Sequence, residues 1–323
     1  MEGTAKKLLI DSTCKYDVSL CDKKCENHNV RIFRFKFPEE NMILGHECSN
    51  HCILHSKVGE EYLSRPFTPI SLINTKGYVE FMIKIYFRNV HPKFPAGGKF
   101  TQHLDSLKIG DVVQISGPHG KVAYKGKGKF IIKSKNETSS IMDVKKLGLI
   151  AGGVGITPAL QILRTIINDP EDKINCSFIY ASSEKRDILR NEEFEEMTKK
   201  LCGRLKIWYT LEKPGPDIEA LTSVHSSPNS CIVYDESETY SVTKTRNING
   251  IFQTSGEVMT MFINILDWPF GTGLISKQMI QEHLFPPGEN NLNLISGPWP
   301  MLEQVIKSLT ELGYCQGTYS LYF

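Results

Sequence analysis

One apolar run ends in glycines and turns directly into an amphipathic helix, and it constrains the fold more than any other feature. It reads Leu147-Gly148-Leu149-Ile150-Ala151-Gly152-Gly153-Val154-Gly155-Ile156-Thr157-Pro158, with apolar positions continuing at Ala159, Leu160, Ile162, Leu163, Ile166 and Ile167. Strand, tight turn and helix in that order make a βα unit, whose strand is buried on both faces only among parallel neighbours. Thr157 suits the helix N-cap and Pro158 its first turn, so the turn at Gly153 and Val154 offers unpaired N–H groups to a dinucleotide pyrophosphate. The alternation then repeats: Ser177 to Ala181 and Lys206 to Leu211 read as strands, Asn191 to Leu201 as a helix. Farther on, Leu292 to Ser296 breaks at Gly297-Pro298 before Trp299-Pro300-Met301 and another helical stretch. A doubly wound parallel sheet is expected.

Before about residue 140 the period changes. Short β-like runs, Val30 to Phe37, Tyr78 to Phe87, Val112 to Ser116 and Phe130 to Lys133, alternate with turns, the pattern of a small antiparallel barrel. At 323 residues the chain exceeds the usual size of one core. The expected organisation is an antiparallel β-barrel over 14–135, a linker over 136–146 and an α/β parallel-sheet domain over 147–323.

Two segments of the barrel half carry anion chemistry. Arg65-Pro66-Phe67-Thr68-Pro69-Ile70-Ser71 puts a guanidinium, an aromatic ring and hydroxyls at a strand end, which suits a diphosphate and a flat ring. Pro95-Ala96-Gly97-Gly98-Lys99-Phe100-Thr101 opens a helix whose first N–H groups would meet the same phosphates.

These segments, in this order, resemble the ferredoxin-reductase-like flavoproteins, and the likeness tightens to the NADH-cytochrome b5 reductase family. It is carried by Arg65 to Ser71, by Ile83-Lys84-Ile85-Tyr86-Phe87 through His91-Pro92-Lys93-Phe94-Pro95-Ala96-Gly97-Gly98-Lys99, and by Gly117-Pro118-His119-Gly120. Gly126 to Phe130, Trp208 to Leu211 and Glu282-His283-Leu284 extend it. The resemblance implies FAD and NADH as cofactors, with cytochrome b5 receiving single electrons. For FAD it implies Arg65, Pro66, Phe67, Thr68, Ser71, Met82, Lys84, Phe87, Gly98, Lys99, Phe100, Thr101 and Thr157. For NADH it implies Gly153, Val154, Asp187, Ser296, Gly297, Pro298 and Met301. His51 and Thr68 would handle the flavin proton, and Ser296 would stand beside the nicotinamide.

The chain departs from that family in four places. Phe67 replaces the usual Tyr, and Ser296 and Trp299 replace a Cys and a Pro, so a slower hydride transfer is expected, with Trp299 walling the nicotinamide pocket or covering the flavin. A Ser- and Thr-rich insertion of about 215–264 follows the strand ending near Leu211, and a solvated loop is expected there rather than a docking element. The carboxylate of Asp187 would accept a ribose hydroxyl and repel a 2′-phosphate, favouring NADH, whereas Lys185 and Arg186 could pair with that phosphate.

A net charge of +2 gives no reason to expect nucleic-acid binding. No apolar run approaches the roughly 20 residues that span a bilayer, and no signal-peptide h-region is evident, so a cytoplasmic protein, peripheral at a membrane at most, is expected. Nine cysteines agree with reduced thiols. The cluster Cys21, Cys25, His28, His46, Cys48, His51 and Cys52 has zinc-like ligands, but strand residues four apart stand roughly 13 Å apart, so no metal is expected. A monomer is expected, with Lys99, Lys125, Lys127, Lys145 and Lys146 facing acidic cytochrome b5. A related diaphorase with another acceptor, or a non-catalytic flavin scaffold, are the rival readings.

Overall fold

The computed structural model describes residues 5–133, 138–214, 230–234, 240–248, 251–254, 259–260, 268–315 and 319–322. Six strands form the first domain: β1 (Tyr16–Cys25), β2 (Val30–Lys36), β3 (His51–Val58), β4 (Glu61–Phe67), β5 (Tyr78–Lys84) and β6 (Val112–His119). They pair antiparallel in the order β4-β3-β6-β1-β2-β5. The ends meet where Pro69 bridges to Phe81 and the Ile70 amide donates to Glu80 O at 2.8 Å, which turns the sheet into a barrel. Alternate residues fill it, among them Leu20, Phe33, Phe35, Leu54, Phe81, Ile83 and Ile115, and helix α1 (Lys99–Ser106) plugs one end with Phe100 and Leu104.

Three of those strands carry weak sequence signals. The outward faces of β1 and β3 are charged or polar, and β4 contains Pro66, which an edge strand tolerates because it need not donate there. The stretch expected as a plain linker is also partly structured. Ser139–Asp143 is strand β9, paired with β8 (Lys129–Lys133), which pairs in turn with β7 (Val122–Tyr124).

The second domain holds β10 (Lys146–Gly152), β11 (Asn175–Ser182) and β12 (Leu205–Leu211). Within the insertion, β13 (Ser230–Tyr234), β14 (Tyr240–Ile248), β15 (Ile251–Thr254) and β16 (Met259–Thr260) pair antiparallel, so these residues are strands rather than the expected loop. The rest of the insertion lies outside the described residues. Then follow β17 (Gly271–Thr272), β18 (Asn291–Ser296) and β19 (Tyr319–Tyr322), and the order β17-β12-β11-β10-β18-β19 is parallel throughout.

Helices cover both faces of this sheet. Leu147 and Leu149 pack with residues of α2 (Ile156–Asn168) and α3 (Asn191–Lys200). Ile150 and Ile295 pack with those of α4 (Lys277–His283) and α5 (Trp299–Glu311). Thr157 does not cap α2, as the sequence had implied. A 3₁₀ turn, Gly153–Gly155, runs straight into the helix, with Gly155 already αR and Thr157 its second residue. A Cβ on Gly155 would stand 2.5 Å from Ser296 O, so close approach of two turns decides that residue.

Candidate functional site

The domains meet along the C-terminal ends of β10 and β18, where the strand order reverses and a crevice must open. A cavity of about 560 Å³ lies there. Pro66, Phe67, Thr68, Met82, Lys84 and Thr101 line it from the barrel. Gly153, Val154, Thr157, Asp187, Ser296, Gly297, Pro298 and Met301 line it from the other domain. Fourteen residues from segments far apart in the chain therefore share one void.

Phe67 is held by its neighbours. Its ring stacks on Phe100 (6.2 Å, 17°) and meets Phe81 edge-on (6.4 Å), so one face is fixed by the barrel core while the residue lines the cavity. That arrangement suits a flat aromatic ligand. Phe100 itself is buried, so its side chain supports Phe67 instead of touching a ligand.

The glycines of Pro95 to Thr101 act otherwise than expected. The Gly97 amide donates to Phe94 O at 3.0 Å and the Gly98 amide to Tyr86 O at 2.7 Å, so neither is free for phosphate. A Cβ on Gly98 would lie 2.6 Å from Thr101 Oγ1, which donates to Gly98 O. The glycine here permits tight packing on Tyr86, and the helix's own orphan donors begin with the first-turn amides from Lys99 onward.

Several expected residues do not line the cavity. Arg65 is exposed with Nη1 donating to Ser64 O at 2.7 Å. Lys99 pairs with Glu61 at 2.8 Å. Phe87 packs against the barrel core with Arg31 over its ring, and the Ser71 hydroxyl accepts from Glu80 N beside a separate cavity of about 370 Å³. His51 is half-buried in β3, and burial first, then the neighbouring His119, lowers its pKa from the ordinary histidine value.

The Asp187 carboxylate lines the cavity, accepts from the Glu184 amide at 3.2 Å and faces His28 Nε2 at 3.6 Å. Arg186, the rival reader, is held by Glu184 at 2.7 Å. Trp299 neither walls the cavity nor covers the ring site: its Nε1 donates to Glu303 at 2.7 Å and the side chain is exposed. Cys48 and Cys52 are buried in different cores, with burial pushing the Cys48 thiol up to about 12.

Sequence reasoning missed the β1–β2 turn. Asn27 and Asn29 line the cavity, Asn27 Nδ2 donates to Arg186 O at 3.4 Å, and Glu26 pairs with Arg190 at 3.1 Å. The Asn-rich turn was visible in sequence; its position against the other domain was not. Ser182, Ser183, Glu212 and Leu274, at the ends of β11, β12 and β17, were also missed, because strand ends are located only once the sheet order is known.

Family comparison matches an oxidoreductase FAD-binding domain to residues 17–124 and an oxidoreductase NAD-binding domain to residues 149–226. The chain is 37% identical over 308 residues to NADH-cytochrome b5 reductase 1 of Bos taurus, covering 95% of this chain and 85% of that protein. It is 34% identical over 302 residues to NADH-cytochrome b5 reductase 3 of Rattus norvegicus, covering 93% and 84%. The cytochrome b5 reductase domain of Ulva prolifera nitrate reductase superposes with a TM-score of 0.76 at 28% identity, covering 98% of this chain and all of that one.

Proposed function

Because the chain belongs to the NADH-cytochrome b5 reductase family, we propose that it oxidises NADH on bound FAD and passes electrons one at a time to cytochrome b5. The observation that carries this reading is the interdomain cavity of about 560 Å³ onto which residues expected to meet FAD and residues expected to meet NADH both open. When bound, the flavin accepts hydride and releases its two electrons separately; the chain's own residues bind, orient and exclude water.

Arg65 and the amides from Lys99 onward would hold the pyrophosphate, Phe67 the ring, and Met82 and Lys84 the strand side of the cofactor. Thr157 would face it from the second domain. Gly153 and Val154 would bring the nucleotide backbone close, Asp187 would take the ribose, and Ser296, Gly297, Pro298 and Met301 would form the nicotinamide wall. Ser296 offers a hydroxyl to that ring where a thiol is usual, which lowers polarisability while keeping size. Thr68 and His51 would carry the proton.

The partner face is narrower than the lysine count implies. Lys99, Lys125 and Lys127 pair with Glu61, Glu47 and Glu171. Among the described residues Lys145 and Lys146 have no carboxylate partner, and Lys146 lies 5.6 Å over the Phe285 ring, so these two carry the docking reading. No described helix is long and apolar enough to cross a membrane. A cytosolic protein fits the thiols at Cys14, Cys21, Cys25, Cys48, Cys52, Cys176 and Cys202.

The test is the absorption spectrum of the purified protein. A yellow protein bleached by NADH, then reoxidised by cytochrome b5, is expected; a colourless protein that takes up no FAD would overturn the reading. Arg65→Ala should leave the protein folded with a weakened hold on flavin, by roughly 2 kcal/mol for a lost charge-assisted contact.

A further inference from the structure

The turn between β1 and β2 leaves the barrel and lies against the second domain. Asn27 sets its shape, because its Oδ1 accepts from the Asn29 amide at 3.0 Å and from the Val30 amide at 2.8 Å. Three contacts then hold the turn on the segment after β11. Glu26 pairs with Arg190 at 3.1 Å, Asn27 Nδ2 donates to Arg186 O at 3.4 Å, and His28 Nε2 stands 3.6 Å from Asp187 Oδ1. Asn27 and Asn29 line the interdomain cavity together with Ser182, Ser183 and Asp187. Part of the wall around the Asp187 carboxylate is therefore barrel chain.

The exposed His28 ring faces that carboxylate without being hydrogen-bonded to it. A separation of 3.6 Å is too long, and Asn29 Nδ2 donates to the same Nε2 at 2.9 Å, which requires a ring nitrogen that carries no hydrogen. A neutral ring adds no charge to the site. Cations on the neighbouring elements are directed elsewhere: Arg31 of β2 pairs with Asp105 at 3.3 Å, Lys84 of β5 lies 6.0 Å over the Tyr86 ring, and Arg186 is held by Glu184 at 2.7 Å. Lys185 shares the 3₁₀ turn Lys185–Asp187, and Glu212 adds negative charge to the cavity at the end of β12.

We propose that His28 is a specificity-determining residue for the nucleotide, acting from the flavin-side domain on the 2′ position that Asp187 reads. This deepens the NADH-oxidising reading above and rests on it. A ribose hydroxyl donates to Asp187, whereas a 2′-phosphate brings about two negative charges to the same place. A neutral side chain at position 28 leaves the carboxylate in force against that phosphate. A cation there pairs with Asp187 and gives the phosphate a counter-charge, at a spacing where opposite charges still attract through partly screened surroundings. Nucleotide choice is then shared between two domains, with the Glu26–Arg190 pair positioning the turn that carries His28.

The test uses the flavin-loaded protein and calorimetric titration with ADP-ribose and with ADP-ribose phosphorylated at the adenosine 2′ position. Neither ligand contains nicotinamide, so binding is read without hydride transfer. His28→Arg should move the ratio of the two affinities about tenfold toward the phosphorylated ligand, and His28→Glu should move it as far the other way. His28→Gln, neutral like the ring it replaces, should stay near the wild-type ratio. Flavin content checks that each variant is folded, and His28 lies on an exposed turn that tolerates all three. A role in shape alone would move the Arg and Glu variants in the same direction. That result, an unmoved ratio in both, or His28→Gln behaving as His28→Arg does, would each overturn the assignment. A wild-type protein that binds neither ligand would instead remove the nucleotide reading beneath it.

Discussion

The Tyr124 hydroxyl donates to the carboxylate of Asp172, joining the barrel side to the parallel-sheet domain at a point where Asp172 has no exposure to solvent. The same carboxylate accepts from Lys127 N at 2.9 Å and Ile174 N at 3.2 Å. A buried charge is tolerated only when its oxygens are satisfied, so the phenol is part of what allows Asp172 to be there. Tyr124→Phe removes one donor and leaves two. We expect a loss of about 1–3 kcal/mol, read as a lower urea midpoint with an unchanged slope. An unchanged midpoint would mean that water replaces the phenol at no cost.

His46 supplies a second interdomain contact with a pH signature. It is buried, and burial pushes its pKa down to about 4. Its Nε2 lies 3.0 Å from Gln161 Nε2 and so accepts, as only a neutral imidazole can, while Gln161 Oε1 accepts from the Ser49 amide at 2.6 Å. The unfolded chain takes up this proton near pH 6.5, and the native state refuses it until about 4. Stability should therefore be intact above about pH 6.5 and fall on acidification to about 4, by up to about 3 kcal/mol from this group. His46→Gln should flatten that part of the stability curve in thermal unfolding across the same window; an identical curve would assign the loss to other groups.

Nucleotide choice should follow Asp187. Its carboxylate faces the cavity with Arg186 drawn off by Glu184, so a 2′-phosphate would meet negative charge without compensation. Asp187→Thr should raise the NADPH-to-NADH ratio of kcat/KM by about tenfold or more, equivalent to about 1.4 kcal/mol. Competition kinetics with both nucleotides would show it, and an unmoved ratio would place selection elsewhere.

Salt should separate the two acceptors. Opposite-sign docking is screened over a Debye length of about 8 Å at physiological ionic strength. Reduction of cytochrome b5 should slow as salt rises while reduction of a small uncharged acceptor changes little. Lys145→Glu with Lys146→Glu should weaken only the cytochrome reaction. Lys99→Glu and Lys125→Glu should do less, because Glu61 and Glu47 already offset those charges. Equal responses of both acceptors would make Lys145 and Lys146 an ordinary solvated face.

Much of the fold was legible because its signals are local. The run from Leu147 to Pro158 could be little other than strand, turn and helix, and the alternation at Val30 to Lys36 and Tyr78 to Lys84 survives because one face of each strand is buried. Strands β1, β3 and β4 were harder to read. Their outward residues are polar and Pro66 interrupts the pattern, so their pairing rests on neighbours distant in sequence.

The sequence by itself determined which residue types would meet a dinucleotide and a flavin, since hydroxyls, glycine turns and a guanidinium carry their chemistry wherever they are placed. Tertiary structure alone decided which of them share a surface. Register set His119, not Pro118, against His51; packing on Tyr86 consumed the Gly98 amide; ion pairs withdrew Lys99 and Lys125; and Glu303 turned Trp299 aside. Each depends on a partner remote in the chain, and a pairing of that kind becomes fixed only when the whole sheet has formed.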